Sequence, residues 1–150
     1  MSDTAILGWY EWVQLPDLDL PPIKAKVDTG ARTSCLHAFS IEPFVRNEQD
    51  WVRFHVHPLH KRDDEVRICE APVLEQRHVR DSGGHVTLRY VIRTRMQLGS
   101  HIQDVDMTLM ARDDMQFRML IGRTSIPAGF LVNPHRSRLL SRKAPKRAVL

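Results

Sequence analysis

The chain has 150 residues, 42% of them hydrophobic, which suits a single domain with a real core and excludes two large lobes. No apolar run reaches eighteen residues, the opening MSDTAILGWYEW lacks a basic-then-apolar leader, and two cysteines without a CxxC exclude a disulfide scaffold, so a reduced, cytoplasmic protein without a membrane span is expected. The net charge of +4 is uneven: six basic residues (Arg136, Arg138, Arg142, Lys143, Lys146, Arg147) crowd an acid-free stretch at 135–150, leaving sixteen basic against eighteen acidic residues, or −2, over 1–134.

Taken in chain order, strand-like runs dominate. Short β-branched or alternating segments occur at 23–27, 52–56, 86–94, 105–110 and 119–121. Turn signals separate them: Leu15-Pro16-Asp17, Pro21-Pro22, Asp81-Ser82-Gly83-Gly84, Leu98-Gly99-Ser100 and Asp113-Asp114. The stretch 77–95, RHVRDSGGHVTLRYVIRTR, reads as a long hairpin with a mobile glycine tip, and a mobile hairpin above a cleft is a lid. No long segment keeps a 3.6-residue period, although 124–128 can begin a short helical turn. The pattern predicts a mainly β, largely antiparallel domain, closed or barrel-like, over 1–134. A basic tail over 135–150 is expected to be solvated and poorly ordered, with RNA contact as an alternative use for it.

One stretch stands apart from ordinary strand-and-turn grammar. In KVDTGARTSC, Asp28 ends the apolar strand 23–27 and a Thr29-Gly30 turn follows at once. Asp-Ser/Thr-Gly triplets are common as plain polar turns. Here, however, a glycine-tipped hairpin follows, and about ninety residues on comes Leu120-Ile121-Gly122-Arg123, an apolar run closed by Gly-Arg.

That order resembles the retropepsin-like aspartic peptidases. Asp28, Thr29, Gly30 and Ala31 match the catalytic loop, 80–93 the flap hairpin, and Leu120-Ile121-Gly122-Arg123 the strand-glycine signature beneath the loop. A narrower likeness extends over nearly the whole chain. GWYEWVQLP, IKAKVDTGARTSCLHA, VRFHV, RHVRDSGG, MLIGRTSI and FLVNPHRS are similar to a bacterial family long labelled ATP-dependent zinc proteases. Its members are now regarded as retropepsin-like, and they often accompany an ATP-grasp ligase that adds glutamates to a ribosomal protein. Two departures are Tyr10, where that family carries arginine in GWRE, and Asn133, where it carries VDP. The resemblance implies a closed acid-protease barrel with a flap and little helix. It implies a catalytic Asp28, Thr29 and Gly30, substrate contacts at Ala31, Arg32, Arg80, Ser82, Gly83, Gly84 and Arg89, and loop support from Gly122 and Arg123.

The chemistry constrains the assembly. Peptide hydrolysis by this route uses two carboxylates sharing one proton across a water, because like charges about 3 Å apart cannot both ionise. The chain holds a single Asp-Thr-Gly, so the second carboxylate must come from another copy in a twofold homodimer. Thr29 would brace the loop through its hydroxyl, and Gly30 would let the two loops approach. Positive charge gathers on the cleft-forming segments of an otherwise −2 body: Lys24, Lys26, Arg32, and Arg77, Arg80, Arg89, Arg93 and Arg95 of the hairpin. Half of these are expected to be solvated strand faces. The remainder suit an acidic peptide or protein substrate, since arginine forks bind carboxylates in bidentate fashion. A glutamate ligase or a ribosomal protein is the corresponding partner.

The histidines are a weaker signal. His55 and His57 would share a strand face near His60, but no HExxH or zinc-finger spacing occurs, no third ligand is in register, and no metal is expected. His37, just past the loop, reads as a structural hydrogen bonder, and Cys35 has no assigned base. No GxxxxGK[ST] loop is present, so no nucleotide cofactor is expected. Two alternatives remain beside the peptidase: a non-catalytic module that grips an acidic partner, and a zinc-dependent protease.

Overall fold

The computed structural model describes residues 5–80, 83–111 and 116–141. Among these residues, eleven strands and two single-turn 3-10 helices make up the fold. The strands are β1 (Ile6–Leu7), β2 (Tyr10–Val13), β3 (Ile23–Asp28), β4 (Ser34–His37), β5 (Phe39–Arg46), β6 (Gln49–Val56), β7 (Arg67–Arg80), β8 (Val86–Leu98), β9 (His101–Met110), β10 (Met119–Gly122) and β11 (Leu131–Val132). One 3-10 turn, Pro16–Leu18, occupies the first predicted turn; the other, Arg123–Ser125, overlaps the predicted helical start at 124. The expectation of a mainly β domain with almost no helix therefore holds.

Closure into a barrel does not. Nine strands form one open sheet in the order β2-β3-β10-β4-β9-β8-β7-β6-β5, while β1 and β11 pair separately in parallel. The two edges have local reasons to stay apart. On β5, Pro43 removes a ladder donor and a bulge falls between Phe39 and Glu42. Beside β2, the segment 138–141 takes up the backbone instead: Arg138 N–H donates to Tyr10 O at 3.0 Å, and Trp12 N–H to Ser141 Oγ at 2.9 Å. The sheet is also mixed, with β10 parallel to β3 and β4 parallel to β9.

The sheet curls without closing. Gln14 and Gln97 exchange both backbone bonds, at 3.0 and 2.8 Å, and so bring the end of β2 against β8. Inside the curl lie Leu7, Val13, Leu15, Ile23, Leu36, Phe54, Ile92, Met96, Met107, Met119 and Ile121, all buried. Burial of this apolar surface, at about 25 cal/mol per Å², is the main favourable term holding the curl together.

A fully buried carboxylate ties the end of the described chain to its beginning. Glu11 accepts N–H bonds from Gly8 (2.7 Å), Leu139 (2.8 Å), Leu140 (3.2 Å) and Ser141 (2.9 Å), and an O–H bond from Ser141 (2.7 Å). Packing thus continues past the boundary expected at 134. Arg142, Lys143, Lys146 and Arg147 lie outside the described residues. No helix among the described residues is long and apolar enough to cross a membrane.

Candidate active site

Asp28 is half-buried at the last position of β3, directly opposite Gly122 in the parallel ladder with β10. The chain turns at once: Gly30 N–H donates to Asp28 Oδ1 at 3.1 Å, and Ala31 N–H to Asp28 O at 3.1 Å. Both bonds arise within three residues, so Thr29-Gly30 closes a tight turn that holds one carboxylate oxygen. Among the described residues no donor engages Oδ2.

The segment after β10 braces this turn from below. Arg123 N–H donates to Ala31 O at 2.9 Å, Thr124 N–H to Arg32 O at 3.0 Å, and Thr124 Oγ1 to the same carbonyl at 2.7 Å. The Arg123 guanidinium donates to Gly30 O at 3.2 Å. Beneath it, buried Ser34 Oγ accepts the Gly122 N–H at 2.9 Å and lies 2.6 Å from Ser125 Oγ. Gly122 has to be glycine for room: a Cβ there would sit 2.5 Å from Thr33 C and 2.7 Å from Thr33 O, inside any van der Waals contact. Gly122 and Arg123 thus lie where loop support was expected. The Thr29 hydroxyl, expected to brace the loop, makes no bond to any described residue.

β7 and β8 form the long hairpin, paired from Val73↔Ile92 to Arg80↔Val86. Its tip includes Gly84 at φ +84°, a left-handed turn geometry suited to glycine, while Asp81 and Ser82 lie outside the described residues. The half of the hairpin nearest its tip, at Arg77, Val79 and Arg89, walls a cleft of about 340 Å³ that also takes in Ala31. Arg32, Thr33, Arg77 and Arg89 line it together with the apolar Val79, Met110 and Leu120. Arg80, one residue out of phase with Arg77 and Val79, is exposed and not part of this lining; Gly83 and Gly84 are exposed at the tip. Ala31, Arg32 and Arg89 therefore share one cleft, and Arg80, Gly83 and Gly84 stand away from it.

Arg77 was noted only as part of the basic hairpin, yet it links hairpin and loop. Its Nη1 donates to Thr33 Oγ1 at 3.0 Å, and its Nη2 pairs with Glu75. The alternating strand pattern fixed the face of Arg77, but not which loop side chain would meet it.

The histidines serve packing. His55 and His57 flank Phe39, with ring centroids 5.4 and 4.5 Å away, and His60 packs on Phe117 at 4.9 Å. Among the described residues no three His, Cys, Asp or Glu side chains converge as a metal site. Cys35 and Cys69 are both buried and are not joined in a disulfide; burial pushes Cys69 up to about 12, which leaves it unreactive at neutral pH. At the two departures, Tyr10 carries the Lys24 ammonium 4.3 Å from its ring centroid, and Asn133 Oδ1 accepts the His135 N–H at 3.0 Å.

Comparison with known proteins agrees with this architecture. A family model described as retropepsin-like aspartic endopeptidase RimB matches residues 6–143. Two curated relatives are each named probable alpha-L-glutamate ligase. One, from Parasynechococcus marenigrum, is 48% identical over 140 residues, and one from Shewanella halifaxensis is 44% identical over 138. These matches take in 93% and 91% of this chain but only 30% of each relative, so the chain spans less than a third of their length. A Legionella pneumophila protein of unknown function, 24% identical, superposes with a TM-score of 0.74 over 93% of this chain and all of that one; it shares the fold.

Proposed function

The chain belongs to the retropepsin-like aspartic endopeptidase RimB family, and from that membership we propose that it hydrolyses peptide bonds through a water held between two Asp28 carboxylates, one from each subunit of a homodimer. The observation that carries the reading is the built turn at the end of β3. Gly30 holds one oxygen of Asp28, and Ser34, Arg123 and Thr124 fix the surrounding backbone. A carboxylate presented so firmly by a chain with one Asp-Thr-Gly fits half of a shared-proton pair. One carboxylate takes a proton from the water as it attacks the scissile carbonyl, and the protonated partner delivers one toward the departing amine. Thr29 and Gly30 complete the catalytic loop.

An acidic substrate, such as a glutamate-tailed protein, is supported by the arginines of the cleft and by the relatives' names, which are those of glutamate ligases. The same names favour a second reading, in which the module binds a glutamate ligase without cutting it. Mass spectrometry of a glutamate-tailed peptide incubated with the protein separates the two. Cleavage by the wild type, its loss in Asp28→Asn with fold and dimer intact, and indifference to EDTA support the peptidase. Retained cleavage in Asp28→Asn rejects it, and binding with no mass loss from pH 4 to 8 favours the binding module.

A further inference from the structure

At the β2 edge of the sheet, cations without counter-ions surround a set of accessible rings. Trp9, Tyr10 and Phe117 meet in a trio: the Trp9 centroid lies 4.6 Å from that of Tyr10 and 5.8 Å from that of Phe117, edge-to-face with both. Trp9 is 39% exposed and the other two rings are half-buried, so their apolar surface is only partly spent on the core. Tyr10 stands where the family carries arginine, so the trio is a feature of this chain. The Lys24 ammonium lies 4.3 Å from the Tyr10 centroid, and Lys26, directly opposite Tyr10 on β3, is exposed. Arg136 and Arg138, also exposed, run alongside: Trp9 N–H donates to Arg136 O at 2.7 Å, and Arg138 N–H to Tyr10 O at 3.0 Å. None of these four cations has an ion pair with any described residue. On the loop whose His60 packs against Phe117, Asp63 is taken up by Arg118 and Asp64 by Arg62. The acid that shares this face of β3 is Asp28, one pleat beyond Lys26, so positive charge stays in excess around the rings.

Accessible rings beside uncompensated cations suit a ligand that carries planar apolar groups along a row of negative charges. An acidic peptide supplies the charges without the planes, and a nucleic-acid duplex keeps its planes stacked inside. A single strand offers both. We propose that this surface binds single-stranded RNA, its bases stacking on Trp9, Tyr10 and Phe117 while its phosphates pair with Lys26, Arg136 and Arg138. RNA is the occupant because its loops and ends are where unstacked bases are presented. Lys24, held against the Tyr10 ring, keeps a further positive charge beside the stack. The rings and the arginines come from opposite ends of the chain, which is why no aromatic-basic motif is visible in the sequence. The claim is independent of the chemistry at Asp28.

The test is fluorescence anisotropy of a fluorescein-labelled single-stranded RNA of mixed sequence with the full chain at fixed salt. The single strand binds, and a duplex of the same sequence binds more weakly. Trp9→Lys separates stacking from diffuse attraction, because it removes a ring while adding a charge. Stacking predicts a loss of roughly 5–100-fold, whereas charge alone predicts a gain. Trp9→Phe, which keeps a ring, stays within about fivefold of wild type. Replacing Arg136 and Arg138 together by glutamine lowers the slope of log affinity against log salt by about 1.4, for two phosphate contacts at about 0.7 each. Arg46→Gln, on β5 at the opposite edge of the sheet and paired with Glu70, leaves affinity within about twofold. Four results each overturn the proposal: no detectable binding, equal affinity for the duplex, Trp9→Lys binding as tightly as wild type, or unlabelled pentaglutamate displacing the RNA as well as unlabelled RNA does. The last of these would make the patch an acidic-peptide surface instead.

Discussion

Replacing Gly122 by alanine tests how tightly the site is built. The added methyl would sit 2.5 Å from Thr33 C, 2.7 Å from Thr33 O and 2.8 Å from Ser34 N. Carbon atoms rest at about 3.5–4.0 Å, so backbone must part by about 1 Å, and every atom it meets is main chain with no rotamer to yield. The displaced partners are the strand carrying Gly122 and the loop carrying Ala31 to Ser34, joined by Gly122 N–H to Ser34 Oγ and Arg123 N–H to Ala31 O. Overpacking of this kind costs about 1–3 kcal/mol, which at about 2–4 °C per kcal/mol lowers Tm by several degrees. A 1 Å misplacement of catalytic groups costs about 100-fold in rate. Differential scanning calorimetry and a glutamate-peptide cleavage assay on the same preparation read both effects. Activity of Gly122→Ala within about twofold of wild type would contradict this, because the loop would then tolerate the shift that the geometry forbids.

Other perturbations follow from the same contacts. Glu11→Gln removes the charge that five donors converge on; losing two charge-assisted bonds at about 1.5–3 kcal/mol each predicts a fall of about 3–6 kcal/mol in urea unfolding, and a fall below about 1 kcal/mol would contradict the clamp. His60 is held below the usual imidazole range by burial first, then by Lys24, Lys61 and Arg118, and its Nδ1 is buried without a partner. The unfolded chain therefore takes up the proton first, so stability falls as pH drops through about 6.5 toward the lowered folded value. In His60→Asn the Tm profile over that window flattens, and an unchanged slope would refute the assignment.

How far the site could be read in advance depended on the range of each interaction. The strands around Val27, Val52, Val91, Val105 and Ile121 follow from β-branched and alternating residues, and the hairpin follows from its glycines; these are local signals. β5 was missed because Pro43 interrupts its pattern, and its turn uses Asn47 and Glu48 at positive φ in place of glycine. Closure was misjudged because it depends on what two distant edges meet, and here 138–141 lies along β2. Asp28 was legible because a charged residue at the end of an apolar strand breaks the local pattern. Glu11 was not: an acid between Tyr10 and Trp12 reads as an exposed strand position until the backbone of residues 139–141 is seen around it.

Subunit mixing puts the twin-carboxylate claim to its most direct test. Wild-type protein at fixed concentration is equilibrated with an equal amount of Asp28→Asn protein, subunit exchange is verified by native mass spectrometry, and cleavage is then measured. If each site draws one Asp28 from each subunit, mixed dimers are dead and activity drops to roughly half. Activity unchanged by fully exchanged Asp28→Asn partners would mean that one carboxylate suffices, and the shared dyad would be wrong.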